Sequence, residues 1–294
     1  MAQPFLASEY APAPPDKAGF YVIPCPLERS VSYGKGTRNG PDAILAASQE
    51  LEALETGMAP GKLGIYTTAP IDCEGPAEAV LVRIEKAVEQ AIKHHAIPVL
   101  LGGEHTITLG ALRALDSHAQ KTGRPFGIIQ FDAHADLRSQ YKGDRYSHAS
   151  VMARAIEEMQ LPLVQIAVRE ISPEEVEVRE RYGITHYDAY FLARVGLPQK
   201  PLPEDFPEDI YISFDVDALD SSLMPATGTP SPGGINWRET QFILEACVRD
   251  RHVIGLDITE LAPLQGLHHA DYTAARLAHL LMALAVHKEP EEQN

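Results

Sequence analysis

The sequence predicts an α/β fold in which helices cover both faces of a mostly parallel sheet. Short runs rich in Ile, Val, Leu and aromatic residues alternate along the chain with longer stretches of helical periodicity. The apolar runs are nearly continuous, which is typical of strands buried on both faces. Strands that alternate with helices form βαβ units, and such units build parallel sheets.

Six segments are predicted to be strands because each is short, apolar and rich in β-formers. They span residues 19–23, 97–101, 126–131, 163–168, 210–214 and 253–257. A helix is predicted over residues 41–54, since Pro41 suits the first helical position. Residues 77–93 have the pattern of a long amphipathic helix. Ser172 and Glu175 have the spacing of a capping box, and residues 271–286 are predicted to form the last helix.

The chain is predicted to be a single domain over residues 1–294, because no repeat or strong linker interrupts it. Residues 1–17 contain four prolines and are expected to form an extended or mobile arm. They lack the basic and apolar regions of a signal peptide. The apolar stretch 277–286 is ten residues long, well short of the roughly 20 residues that a membrane span needs.

Charge and cysteine content restrict the possible partners and location. The formal charge is 25 − 41 = −16, so the protein repels phosphate backbones and favours small cations over nucleic acid. The three cysteines, Cys25, Cys73 and Cys247, form no CxxC pair. An odd number without such spacing argues against a disulfide framework and indicates a cytoplasmic protein.

Acidic and histidine residues follow four of the predicted strands. His105 follows the strand at 97–101, the DxHxD segment 132–136 follows 126–131, Asp215 and Asp217 follow 210–214, and Glu260 follows 253–257. Ligands of open α/β sheets bind at the carboxyl ends of the strands. The side chains that follow these strands are therefore candidates for one common site.

The spacing of these residues favours a metal site. If the chain stays extended, Asp132, His134 and Asp136 point the same way, as do Asp215 and Asp217. With His105 they supply four carboxylates and two imidazoles, a set that is costly to bury without a counter-charge. The oxygen-rich set favours Mn²⁺, with Co²⁺, Ni²⁺, Fe²⁺ or Zn²⁺ as alternatives. Six ligands suit two ions about 3.5–4 Å apart.

Several segments resemble those of the ureohydrolase family of arginases and agmatinases. The matching segments are YGKGTRNGPDAI (33–44), GGEHTIT (102–108), FDAHADLR (131–138), SHAS (147–150), SFDVDALD (213–220), PATGTPSPGG (225–234) and LDITELAP (256–263). They span nearly the whole chain. The resemblance implies an arginase-like three-layer α/β/α fold, two Mn²⁺ ions per chain at one sheet edge, and a trimer or hexamer.

The resemblance also implies roles for individual residues. One ion would be held by His105, Asp132, Asp136 and Asp215, and the other by Asp132, His134, Asp215 and Asp217. Glu260 resembles the acid that holds the guanidinium group of the substrate, and His148 resembles a proton shuttle. Asp136 could orient the nucleophile and return its proton. Glu104 stands where many members have Asp, a departure from which we expect no functional consequence.

The substrate implied is agmatine, which would yield urea and putrescine and so serve polyamine biosynthesis. The loop at 137–147 and Ser172 depart from the pattern that arginases use for the amino-acid end of arginine. Aminopropylagmatine, guanidinobutyrate and arginine remain alternatives. An inactive metal-binding homologue and a deacetylase-like enzyme with one zinc are alternatives of another class.

Overall fold

The computed structural model describes residues 3–286; residues 1–2 and 287–294, which the single-domain prediction includes, lie outside that part. Within residues 3–286 there are eight strands: β1 (Phe20–Cys25), β2 (Ile65–Thr67), β3 (Ile97–Gly102), β4 (Phe126–Phe131), β5 (Leu163–Ile166), β6 (Thr185–Tyr187), β7 (Asp209–Asp215) and β8 (His252–Thr259). All pair in parallel in one sheet, in the order β2-β1-β3-β8-β7-β4-β5-β6. The predicted parallel sheet is confirmed.

Helices cover both faces of this sheet. They are α1 (Gly40–Ala47), α2 (Ala77–Lys93), α3 (Ile107–Thr122), α4 (Val151–Glu158), α5 (Pro173–Tyr182), α6 (Ala189–Val195), α7 (Trp237–Val248) and α8 (His268–Ala285). Phe20 and Val22 of β1 pack with α1, α7 and α8, whereas Tyr21 and Ile23 pack with α2, α3 and α4. Side chains of a strand alternate between faces, and the result is a three-layer α/β/α sandwich.

All six predicted strands are present, but the two edge strands β2 and β6 were missed. Each has only three residues, and most of these are half-buried or exposed. Such short segments are defined by their pairing with β1 and β5 rather than by an apolar run of their own.

The helix predicted over residues 41–54 is shorter than expected, because α1 ends at Ala47 and a single 3₁₀ turn follows. The Ser48 hydroxyl donates to the carbonyl of Leu45 (2.7 Å) and accepts from the Leu6 N–H (3.0 Å). A serine side chain that bonds the backbone in this way competes with continued helix. The predicted capping box of Ser172 and Glu175 is present at the start of α5.

Residues 3–17, part of the expected extended or mobile arm, pack against the body of the protein. Phe5 and Leu6 are buried, and the Phe5 N–H donates to the Thr67 hydroxyl (3.0 Å). The apolar stretch 277–286 lies mostly within α8, in the layer that α1 and α7 share. Across residues 3–286, every helix is too short or too polar to cross a membrane.

Candidate metal centre and catalytic cavity

Four neighbouring strands, β3, β8, β7 and β4, end at one edge of the sheet and open into a cavity of about 300 Å³, here called the strand-end cavity. Its walls include the residues that the sequence singled out: His105, His134, Asp136, His148, Asp215, Asp217 and Glu260. Asp132 lies buried against several of them. The fold therefore brings all eight predicted residues to one place, from positions up to 155 residues apart in the chain.

One group of candidate ligands surrounds His105. Its Nδ1 atom lies 2.9 Å from Asp136 Oδ2, 3.1 Å from Asp132 Oδ2 and 3.6 Å from Asp215 Oδ2. The four side chains are buried. Three of them, His105, Asp132 and Asp136, offer ligand atoms close enough to share one metal ion.

A second group of candidate ligands adjoins the first and shares Asp132 with it. His134 Nδ1 lies 3.1 Å from Asp217 Oδ2 and 3.4 Å from Asp132 Oδ1, and these three residues could also hold an ion. Backbone groups fix the carboxylates: the Asp217 N–H donates to Asp215 Oδ1 (2.9 Å), and the Ala133 N–H donates to Asp217 Oδ1 (3.0 Å).

The orientation of the His105 ring is set by a buried carboxylate outside the cavity. The Ser213 hydroxyl donates to Asp257 Oδ1 (3.0 Å), so it must accept at 2.8 Å from the His105 Nε2–H. The proton on Nε2 leaves Nδ1 with a lone pair that faces carboxylate oxygens, and this buried atom has no hydrogen-bond donor of its own. A cation bound between the Nδ1 lone pair and these oxygens would remove the repulsion between them. Hydrogen bonds to the other ring nitrogen, like that to Ser213, commonly orient metal-binding histidines.

The electrostatics of the cavity also fit a cation. Burial and the charges of Asp217 and Asp132 raise the pKa of Asp215 well above its usual range. Burial and the Asp132 charge raise the pKa of Asp136 to about 7, and burial raises the pKa of Glu260. The same carboxylates, against the opposing effect of burial, raise the pKa of His105 well above its usual range and that of His134 to about 12. The buried acids thus favour positive charge at this place. A divalent cation would supply that charge, so the donor set fits one.

The DxHxD segment converges, but it does so through a turn rather than through the extended chain that the sequence predicted. β4 ends at Phe131, and Asp136 has a φ of 53°, in the left-handed region. The carbonyl of Asp136 accepts the N–H groups of Met152 and Ala153 (3.1 Å each) at the start of α4. The α4 contact therefore holds the strained residue in place.

Glu260 occupies the floor of the cavity beside His105. It follows β8 with a φ of 65°, and its N–H donates to the Gly103 carbonyl (2.9 Å). Its Oε1 accepts the His105 N–H (2.8 Å). The Glu260 carboxylate thus lines the cavity and at the same time contacts the backbone of His105, a candidate metal ligand.

His148 lies at the cavity wall between two serines that the sequence did not single out. Its Nδ1 is 3.0 Å from the Ser30 hydroxyl, and its Nε2 is 2.9 Å from the Ser32 hydroxyl. Tyr141 packs edge-on against the ring at 5.4 Å. Ser30 and Ser32 lie 118 and 116 residues from His148, so no local spacing signals them. Ser213, by contrast, precedes Asp215 by two residues and could have been found by strand alternation.

The mouth of the cavity carries charges of both signs. Glu170 is exposed there, its N–H donates to the Ala133 carbonyl (2.9 Å), and its Oε1 accepts from the Ser231 hydroxyl (3.0 Å). Arg138 lies 3.8 Å from buried Glu175. This fold and this cavity define the class of the protein: an α/β enzyme with candidate metal-binding residues at the carboxyl edge of its sheet.

Comparisons with known proteins identify the family. A model described as the Arginase family matches residues 18–286. N(1)-aminopropylagmatine ureohydrolase of Thermus thermophilus is 39% identical over 280 residues, which cover 92% of each chain. Agmatinase of Pyrococcus horikoshii is 32% identical, over 91% of this chain and 92% of that one. Agmatine ureohydrolase of Thermoplasma volcanium superposes with a TM-score of 0.84 at 28% identity, over 97% of this chain and 95% of that one.

The chain belongs to the Arginase family. It is a ureohydrolase, an enzyme that hydrolyses the carbon–nitrogen bonds of amidino groups. The resemblance drawn from the sequence motifs is confirmed, and so is the arginase-like fold.

Proposed function

We propose that this ureohydrolase acts on a guanidinoalkylamine, with N(1)-aminopropylagmatine as the better substrate and agmatine as the second. The observation that carries the proposal is the strand-end cavity itself, which joins two candidate metal-binding groups, buried Glu260 and exposed Glu170. The names of the Thermus and Pyrococcus relatives support both substrates, and the higher identity of the former favours the aminopropyl compound.

The metal centre would be dinuclear and would use all six predicted ligands. One ion would take His105, Asp132, Asp136 and Asp215, and the other would take Asp132, His134, Asp215 and Asp217. Carboxylate-rich sites without thiolate suit Mn²⁺. When bound, such ions would lower the pKa of water and so supply a nucleophile near neutral pH.

Glu260 would bind the guanidinium group of the substrate. A carboxylate and a guanidinium make two parallel charge-assisted hydrogen bonds. Because Glu260 is fixed through the N–H of His105, this contact would place the guanidinium carbon next to the candidate ligands, and orientation of this kind lowers the barrier.

Asp136 and His148 would move the protons. When the carbon–nitrogen bond breaks, the departing amine needs a proton, which Asp136 could give because its carboxyl group faces the cavity. His148 lines the cavity and contacts half-buried Ser30 and exposed Ser32. His148 would pass to solvent the proton that the water loses when the nucleophile forms, and would return one to the free amine after the bond has broken.

Glu170 would attract the amine end of the substrate. The guanidinium end would lie at Glu260, so the far end of a four-carbon or longer chain would reach the mouth of the cavity. An ammonium group there would meet the exposed Glu170 carboxylate, and the net charge of −16 would favour its approach. Arginine and guanidinobutyrate each bring a carboxylate to the same place, which Glu170 would repel.

A panel of guanidine compounds tests the proposal through urea release. We expect kcat/KM for N(1)-aminopropylagmatine to exceed that for agmatine by roughly 10-fold, and that for arginine or guanidinobutyrate by at least about 100-fold, because polar mismatches discriminate strongly. Faster turnover of arginine than of agmatine and N(1)-aminopropylagmatine would contradict the proposed order of substrates. The absence of urea from every compound would indicate a metal-binding protein without hydrolytic activity.

The variant Glu170→Gln tests the amine end separately. We expect KM for the preferred amine to rise by about 5-fold with little change in kcat, because an exposed charge contact is worth at most about 1 kcal/mol. Glu177→Gln is a matched control, since Glu177 is an exposed acid on α5 that does not line the cavity. Equal KM values for the two variants would contradict the role of Glu170.

We further propose that the enzyme works in the cytoplasm as a homo-oligomer. All three cysteines are free, which suits a reducing compartment. A trimer or hexamer stays a prediction that rests on the family resemblance.

A further inference from the structure

The side chain of Glu104 is fully buried, yet its hydrogen bonds lead away from the candidate metal ligands. Its Oε2 accepts the N–H groups of Arg29 (2.6 Å) and Ser30 (2.7 Å), and its Oε1 accepts the Ser30 hydroxyl (2.8 Å). A fourth bond, from the Thr106 hydroxyl to Oε1 (2.9 Å), is local. Two of the other three bonds hold the backbone of a distant loop. The third uses the only proton of the Ser30 hydroxyl.

Ser30 therefore connects Glu104 to His148. A serine hydroxyl has one proton and two lone pairs, whereas a carboxylate can only accept hydrogen bonds. Since the Ser30 proton goes to Glu104, the Ser30 oxygen must accept from its other two partners. These are the His148 backbone N–H (3.0 Å) and the His148 ring at Nδ1 (3.0 Å).

This order of donors fixes the tautomer of the His148 ring. Burial lowers the pKa of His148, so the ring is neutral near pH 7 and carries one proton. That proton lies on Nδ1, where it donates to Ser30. The lone pair is then on Nε2, on the side of the cavity. There it accepts from the Ser32 hydroxyl (2.9 Å), which also lies 3.2 Å from the Tyr141 hydroxyl. Ser32 and Tyr141 can reverse the hydrogen bond between their hydroxyls, whereas the Glu104 carboxylate can only accept, so Glu104 decides the tautomer.

We propose that Glu104 and Ser30 are positioning residues that hold His148 in the tautomer whose Nε2 can take a proton from the cavity, an inference that rests on the proposed role of His148 in the ureohydrolase reaction. The arrangement follows the general logic of an acid that orients a histidine base, with a serine hydroxyl inserted between the two.

The variant Glu104→Gln should invert the tautomer. The carbonyl oxygen of the new amide would remain on the Arg29 and Ser30 N–H groups, so its NH₂ group would take the place of Oε1. That group donates to the Ser30 oxygen, and the Ser30 proton must then turn to His148 Nδ1. The ring proton would move to Nε2.

Neutron diffraction of the metal-loaded protein in deuterium oxide, at mildly alkaline pH, reads the tautomer directly. We expect deuterium on Nδ1 of His148 in the wild type and on Nε2 in Glu104→Gln. Deuterium on Nε2 in the wild type would overturn the inference. This measurement does not depend on activity, so it separates failure of the inference from failure of the proposed function, which would show as no urea from any guanidine.

Kinetics supply a second measurement. We expect Glu104→Gln to lower kcat by about 10- to 100-fold with KM and metal content unchanged, because proton transfer by a positioned base contributes roughly 10²–10⁴-fold. Ser30→Ala, which leaves Glu104 bonded to the backbone N–H groups, should lower kcat by about 10-fold. The Ser30→Ala variant therefore tests the same hydrogen-bond chain if Glu104→Gln folds poorly.

Glu28→Gln is the matched control. Glu28 Oε2 accepts the N–H groups of Gly36 (2.8 Å) and Arg38 (3.1 Å), so it stabilises the same loop without contact to His148. The kcat of the Glu28→Gln variant should stay within about twofold of the wild-type kcat. If kcat falls equally in Glu28→Gln and Glu104→Gln, loop order alone explains the effect and the inference is wrong.

Discussion

Replacement of Glu260 by glutamine is expected to lower kcat/KM for the preferred guanidine by at least about 10³-fold, equivalent to roughly 4 kcal/mol of transition-state binding. The reason is the loss of the negative charge that would pair with the guanidinium group. Glutamine keeps an oxygen for the His105 N–H, so His105 should stay in place. Alanine would remove that bond as well and so would test two effects at once.

The measurements for Glu260→Gln are urea release and metal content in the same preparation. We expect the metal content to equal that of the wild type, since Glu260 belongs to neither group of candidate ligands. Glu245→Gln, at an exposed acid on α7, serves as the control and should keep full activity. Turnover close to the wild type in Glu260→Gln would remove the substrate-binding role from this residue.

Removal of metal is expected to abolish urea release completely, and Mn²⁺ is expected to restore it at two ions per chain. The six candidate ligands are four carboxylates and two imidazoles, so negative charge outweighs positive charge among them. Binding of ions to the folded protein should therefore also raise its Tm. Metal analysis, activity and thermal unfolding are measured on the same chelated and reloaded samples.

Variants of the ligands sharpen this test, because Asp132 belongs to both groups and Asp217 to only one. Asp132→Asn should bind close to no Mn²⁺, whereas Asp217→Asn should keep about one ion per chain. A wild type that binds a single ion would favour a mononuclear, deacetylase-like centre. Activity in a metal-free preparation would contradict the metal centre altogether.

Local sequence patterns were sufficient to predict the class of fold and to predict that these side chains lie together at one edge of the sheet. Buried strands appear as continuous apolar runs, and acids or histidines directly after them must meet at one sheet edge when the strands are parallel. The positions of His105, Asp132, Asp215 and Glu260 follow from that rule alone. The capping box of Ser172 and Glu175 was likewise predictable, because both its partners lie within one helical turn.

Other features depend on contacts between distant segments. The left-handed turn at Asp136 is held by α4 rather than by its own spacing. The edge strand β2 exists through its pairing with β1.

The sequence by itself thus determined which side chains gather at the carboxyl edge, since strand periodicity and βαβ order are local properties. Only the tertiary structure decided how the gathered groups are oriented. Ser213 and Asp257 turn the His105 ring, and Ser30 carries the hydrogen bond from Glu104 to His148, across 74 and 118 residues of chain. The direction of a hydrogen bond depends on every partner of both groups, and those partners become neighbours only when the chain has folded.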